Sequence, residues 1–281
     1  MSLTVFAVVL VAATMHAGWN ALVKSDLDRF LSINLISLSA GLLALIVLPF
    51  VKIPIAAAWP YLIVSATFNT GYKLFLIQAY RAGDLGQVYP IARGAAPLLT
   101  ALVMAFGFGE VLTPIAMGGV LVLILGVFLM SARGGHGLDE FDSKTIWFSL
   151  GTSVFIASYT VTDGLGARTN GDAVSYATWL FVVNEVMMLP ILLAVRGGGA
   201  LRTLLPYWKR GLAGGAMTFG AYGLVIWATT QAPIALVAAL RESSVLIATA
   251  ISIFLLREPI TRWRLISAIL IITGLGMTRV G

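Results

Sequence analysis

The sequence predicts an all-α integral membrane protein with ten transmembrane helices arranged as two inverted five-helix repeats. Three observations carry that expectation. Hydrophobic residues make up 59% of the 281-residue chain and charged residues only 11%, against roughly a quarter charged in a soluble domain. Apolar runs of roughly 20 residues, the length that crosses a hydrocarbon core, recur along the whole chain between turn and charge signals. One segment also occurs twice. Gln87 to Thr113, QVYPIARGAAPLLTALVMAFGFGEVLT, aligns without a gap on Ala235 to Thr261, ALVAALRESSVLIATAISIFLLREPIT. Arg93 then falls on Arg241, a shift of 148 positions, with Phe106 on Phe254, Glu110 on Glu258, Thr113 on Thr261 and, further on, Gly126 on Gly274. Leu, Ala and Ile would agree by chance; the charged and hydroxyl positions mark an internal repeat.

The apolar runs cover residues 3–23, 31–51, 59–80, 86–108, 114–131, 144–166, 173–195, 207–230, 234–256 and 262–279. The first lacks a basic leader and a small-residue cleavage pattern, so it reads as a retained span. In the fourth, Pro90 and Pro97 free backbone carbonyls and predict a kink near Arg93. Ala92, Ala96 and Thr100, at four-residue spacing, predict close helix contact there, and Ala235, Ala239 and Ser243 repeat the row in the ninth. Pro233 and Pro259 bracket that ninth span. The longest polar connection, SARGGHGLDEFDS, follows the fifth span and divides the chain into 1–131, a linker at 132–143, and 144–281. With an odd number of spans per half, the second half enters the membrane from the opposite side, a secondary-transporter architecture with its substrate site near the midplane.

The formal net charge of +6 sits in short loops, where it orients a chain in a bilayer rather than binding nucleic acid. Of the 18 basic residues, Lys52, Arg168 and Arg279 fall on the side of the termini, twelve on the opposite side, and Lys73, Arg93 and Arg241 inside spans. That asymmetry favours termini outside the cytoplasm. The absence of cysteine excludes disulfides and thiolate metal sites, and two histidines argue against structural zinc. No metal or cofactor is expected. No lysine follows a glycine, so no phosphate-binding P-loop occurs, and neither a G-x-S-x-G elbow nor an H-E-x-x-H helix supports an embedded enzyme.

An ionisable group inside a span costs about 2.5–3.5 kcal/mol on insertion scales, so each needs a partner or a function. Six stand out: His16, Lys73, Arg93, Glu185, Arg241 and Glu242. With His16 neutral, three bases against two acids leave one positive charge in excess, which predicts an anionic group on the ligand. Arg93 and Arg241 suit a carboxylate because guanidinium binds it through two parallel hydrogen bonds. Equally, Arg93 can pair with Glu242 across the repeat interface and leave Arg241 for the ligand. Lys73 either faces a cavity or snorkels, and Glu185 is held neutral, paired, or available for proton coupling. His16 in TMHAGWN, one turn before Asn20, begins a polar stripe that serves structure or ligand. Tyr72, Tyr89, Tyr159, Tyr222 and Trp227 belong to the interfacial belt or to an aromatic wall.

The 5+5 spans, the run GDLGQVYPIARGAAPLLTALVMAFGFGEVLT and the LREPIT after the ninth span resemble the drug/metabolite transporter superfamily, specifically its EamA-type exporters, over essentially the whole chain. The resemblance implies a secondary transporter of a bacterial-type inner membrane, with a central cavity lined by the first, third, fourth, sixth, eighth and ninth spans. Relatives export amino acids and related metabolites, aromatic ones included, and a few move nucleotide sugars or lipid-linked sugars. Positions matching the cavity-lining spans are His16, Asn20, Tyr72, Lys73, Tyr89, Arg93, Tyr159, Trp227, Arg241 and Glu242. The expected partners are a small carboxylate-bearing substrate and the bilayer, with no nucleic acid and a self-sufficient monomer. A phosphorylated or lipid-linked substrate is the alternative. Ten-helix relatives are usually described with both termini in the cytoplasm, opposite to the loop charges here.

Overall fold

The computed structural model describes residues 1–22, 27–82, 85–133, 143–256 and 260–281, and these hold helices and no strand. The centre of the polar connection, Glu258 and Pro259 lie outside the described residues, as do the side chains of Asn20, Tyr89 and Phe254. In chain order the helices are α1 (Leu3–Leu22), α2 (Arg29–Val47), α3 (Trp59–Ala82), α4 (Leu85–Phe108), α5 (Pro114–Arg133) and α6 (Ser143–Asn170). They continue with α7 (Ala173–Arg196), a short α8 (Gly199–Leu204), α9 (Trp208–Gln231), α10 (Ile234–Arg241), α11 (Ser244–Leu256) and α12 (Arg262–Val280). At 1.5 Å per residue the long helices reach about 30 Å or more, the thickness of a hydrocarbon core. Side-chain caps start three of them: Asp28 accepts from Leu31 N, Asp172 from Val174 N and Ser175 N, and Thr261 from Arg264 N.

Among the described residues, six helical stretches are long and apolar enough to cross a membrane, and Leu3–Trp19 and Pro114–Met130 are shorter apolar stretches. The sequence expectation of ten includes α3 and α6, which are too polar to join the six. Their polar residues face protein instead. Thr145, Ser149, Thr152, Ser153, Thr160 and Asp163 of α6 are buried, and α6 packs along α3. Gly71 of α3 lies under the Phe155 ring of α6, and Gly151 of α6 under Phe75 of α3, so that a Cβ on either glycine would come within 2.6 Å of a ring carbon.

Moving α1 through α5 along the sequence by the 148 positions of the repeat lays them on α6, α7, α9, the α10–α11 pair and α12. The packing obeys the same exchange. α3 lies on α6 and α9 on α1; α2 on α9 and α7 on α3; α4 on α6 and α11 on α1; α5 lies on α12. At one end of the molecule the α2–α3 and α6–α7 connections meet, through Ile55 N to Asn170 Oδ1 (3.0 Å) and Ser175 Oγ to Lys52 O (2.8 Å). At the other end Arg196 Nη2 reaches Asp28 Oδ2 at 2.8 Å.

α4 is one helix through Pro90, Arg93 and Pro97, and a hydroxyl from α6, Ser153 Oγ, lies within hydrogen-bond distance of the carbonyls of Ile91 (3.0 Å) and Ala92 (3.1 Å) in that turn, a partner of the kind that a proline-freed carbonyl needs. The interruption falls in the other copy, at Glu242 and Ser243, where the chain tightens through Glu242 N to Ala239 O and Ser243 N to Leu240 O, both 3.0 Å.

Candidate functional site

The helices enclose a cavity of about 140 Å³. Its wall includes His16 and Trp19 of α1, Tyr72 and Lys73 of α3, Arg93 of α4, Tyr159 of α6, Tyr222 of α9 and Arg241 of α10. Six of the sequence candidates thus share one surface. α2 and α7, absent from the expected lining, contribute Ser37, Phe181 and Asn184.

The two arginines meet at one acid. Glu242, 1% exposed, places Oε2 2.9 Å from Arg93 Nε and Oε1 3.6 Å from Arg241 Nε. The break between α10 and α11 follows Arg241 directly, so Glu242 sits in a turn behind the cavity wall and spans both guanidiniums, which are 6% and 4% exposed. One carboxylate thus serves two guanidiniums. Arg93 Nη2 also lies 3.1 Å from His16 Nε2, and Trp19 Nε1 lies 3.2 Å from His16 Nδ1.

Aromatic rings continue the wall. Tyr72 meets Tyr159 edge to face at 5.7 Å, Tyr159 meets Tyr222 at 6.1 Å, and Tyr222 meets Phe181 at 6.2 Å. On the α2 side Lys73 Nζ donates to Ser37 Oγ at 2.6 Å, and Glu185 of α7 faces the same hydroxyl. Lys73 therefore turns into the protein and does not snorkel. Glu185 is off the wall, its stem against Gly41 of α2, while its neighbour Asn184 is on it. Trp227 is packed between two core clusters and does not line the cavity.

The charge count needs correction. Asp163 of α6, unflagged in the sequence because it lies close to the expected end of the sixth span, is 2% exposed inside a helix that runs on to Asn170. It accepts from Tyr222 OH at 2.5 Å and Tyr176 OH at 3.2 Å. Among the described residues the interior then holds three basic side chains, Lys73, Arg93 and Arg241, and three acidic ones, Asp163, Glu185 and Glu242. The count of three bases against two acids made from the sequence becomes three against three. Asn69, four residues before Lys73 and so on the same helical face, was the legible polar neighbour among those missed.

Apolar helices around a largely apolar cavity that carries two arginines and a lysine are the build of a multi-pass membrane protein of transporter type. The chain belongs to the EamA-like transporter family, which matches residues 3–132 and 143–280. A crystal structure described simply as that of a protein shares the fold, with a TM-score of 0.75 at 17% identity over 98% of this chain and 96% of that one. No curated protein matches the sequence.

Proposed function

We propose that the protein is a secondary transporter that exports a small amphipathic metabolite, an amino acid with a neutral or aromatic side chain, across a bacterial-type inner membrane. Ten spans in two inverted five-helix halves, 1–131 and 144–281, would rock about the cavity to alternate access. The observation that carries this reading is the convergence of Arg93 and Arg241, one from each copy of the repeated segment, on the wall of one aromatic-lined cavity. A carboxylate would meet the guanidiniums and an apolar side chain the edge-to-face rings. Bases on the wall with acids set behind it suit a ligand that carries both signs of charge, as a zwitterionic amino acid does. A monomer is part of this proposal.

Efflux from proteoliposomes loaded in turn with aromatic, aliphatic, acidic and basic amino acids tests this. Selective release of neutral or aromatic ones, above protein-free vesicles, is the expected result. Release of none by folded protein would overturn the amino-acid reading and direct the search to phosphorylated or lipid-linked cargo.

A further inference from the structure

At the end of the molecule where Gly281 O accepts from Thr113 Oγ1 at 3.1 Å, one acid fastens the two halves together. Glu110, in the α4–α5 connection of the first half, places Oε2 2.7 Å from Arg168 Nη1 of α6. Its Oε1 accepts from Ile234 N, the first residue of α10, at 2.6 Å. Pro233 ahead of α10 supplies no side-chain cap, so an acid from the opposite half caps this helix. Arg168 in turn donates through Nε to Thr229 O at 2.8 Å and through Nη2 to Ala232 O at 2.9 Å, and so holds the α9–α10 connection.

A packed layer separates this cluster from the cavity. Met104 of α4, Val161 of α6 and Ile234 of α10 are buried together, as are Leu62 of α3, Tyr176 of α7 and Ile226 of α9. Arg168 lies nine residues beyond Tyr159 of the cavity wall, about 14 Å along α6. α10 crosses the layer. It starts at the bond to Glu110 and, about two turns later, ends at Arg241 on the wall.

The repeat supplies the acid twice but the arginine once. The 148-position shift lays Glu258 on Glu110, yet Asn20 on Arg168. Hydrogen bonds between ionised partners are roughly twice as strong as neutral ones, so a neutral asparagine is no substitute for that arginine.

We propose that Glu110 and Arg168 form a one-sided latch, which holds the cavity shut towards this end and must release before the cavity can open there, with α10 linking it to Arg241. Release of the latch is a step of the alternating access proposed above, and so rests on that reading.

The chain has no cysteine, so single reporters can be introduced directly. Ala221→Cys puts one on the cavity wall, and a cysteine appended after Gly281 marks the latch side of the membrane. Each is labelled with a membrane-impermeant maleimide in sealed vesicles of both orientations. With the latch intact, Ala221→Cys is expected to react slowly from the latch side. Glu110→Gln or Arg168→Gln is expected to raise that rate about tenfold, and the double substitution no further than the larger single effect, because one pair is shared. Arg168→Lys, a gentler change that keeps the cation and loses the fork, is expected to give an intermediate rate. A rate unchanged by the Gln variants, effects that multiply in the double variant, or, where the Gln variants do not fold, no rise with Arg168→Lys would overturn the latch. Labelling needs no cargo. Selective amino-acid efflux with unaltered labelling leaves the transport reading without this latch, and altered labelling without amino-acid efflux leaves the latch serving another cargo.

Discussion

In the first copy of the repeat, α4 runs unbroken past Arg93, and the next residues are Gly94, Ala95 and Ala96. In the second, α10 stops at Arg241, and the corresponding residues are Glu242, Ser243 and Ser244, all buried, the first two forming the break. The two arginines occupy equivalent positions on unlike backbones. The difference shows how a duplicated segment can hold a pair of buried charges. If both copies carried the acid, each arginine would have its own counterion and little capacity for a ligand. If neither did, the two guanidiniums would lose the carboxylate they share. One copy gives up helical continuity so that a single acid spans both, at 2.9 and 3.6 Å.

Removing the acid is the strongest way to break this asymmetry. Glu242→Gln strips both guanidiniums of their shared partner, and losing one member of a buried pair costs about 3–5 kcal/mol. A large fall in thermal stability, read by size-exclusion of heated detergent extracts, is expected; an unchanged melting point would mean that Glu242 does not hold the arginines. The arginines themselves should separate. Arg241→Gln leaves the 2.9 Å pair intact, so it should weaken substrate affinity, by about 10–100-fold if a charge-assisted contact of about 1.5–3 kcal/mol is lost, with little change in stability. Arg93→Gln should lower both. Identical behaviour of the two variants would erase the distinction between the copies.

Smaller effects probe the frame around them. Gly71→Ala drives a Cβ into the Phe155 ring and should cost about 1–3 kcal/mol by overpacking, measured as a lower melting point. Asp28→Asn should change almost nothing. The Arg196–Asp28 pair is exposed, such pairs contribute about 0–1 kcal/mol, and asparagine caps a helix about as well as aspartate.

Much of this frame was legible because it is periodic. Apolar runs gave the helices, the 148-residue shift gave the exchange of contacts, and the charged matches picked out both arginines. What was hidden depends on three-dimensional context. Proline is a local signal, so a kink was expected near Pro90 and Pro97, where α4 stays one helix beside Ser153 of α6. Glu242-Ser243-Ser244 carries no such signal, yet the chain bends there to bring the acid between two arginines. Asp163 lies three residues before the expected end of the sixth span and was not flagged, and the continuation of α6 to Asn170 buries it. Glu185 and Asn184 are one residue apart, but one residue is about 100° of rotation, which separates the cavity wall from the α2 interface.

The central claim proposed here is that the cavity recognises a carboxylate at Arg93 and Arg241. It is tested most directly by competition in proteoliposomes. Transport of labelled L-phenylalanine would be measured against unlabelled L-phenylalanine, its decarboxylated amine, phenethylamine, and its deaminated acid, 3-phenylpropionate. The account predicts strong competition by the amino acid, weaker competition by the acid, and least by the amine. Phenethylamine competing as well as phenylalanine would contradict it.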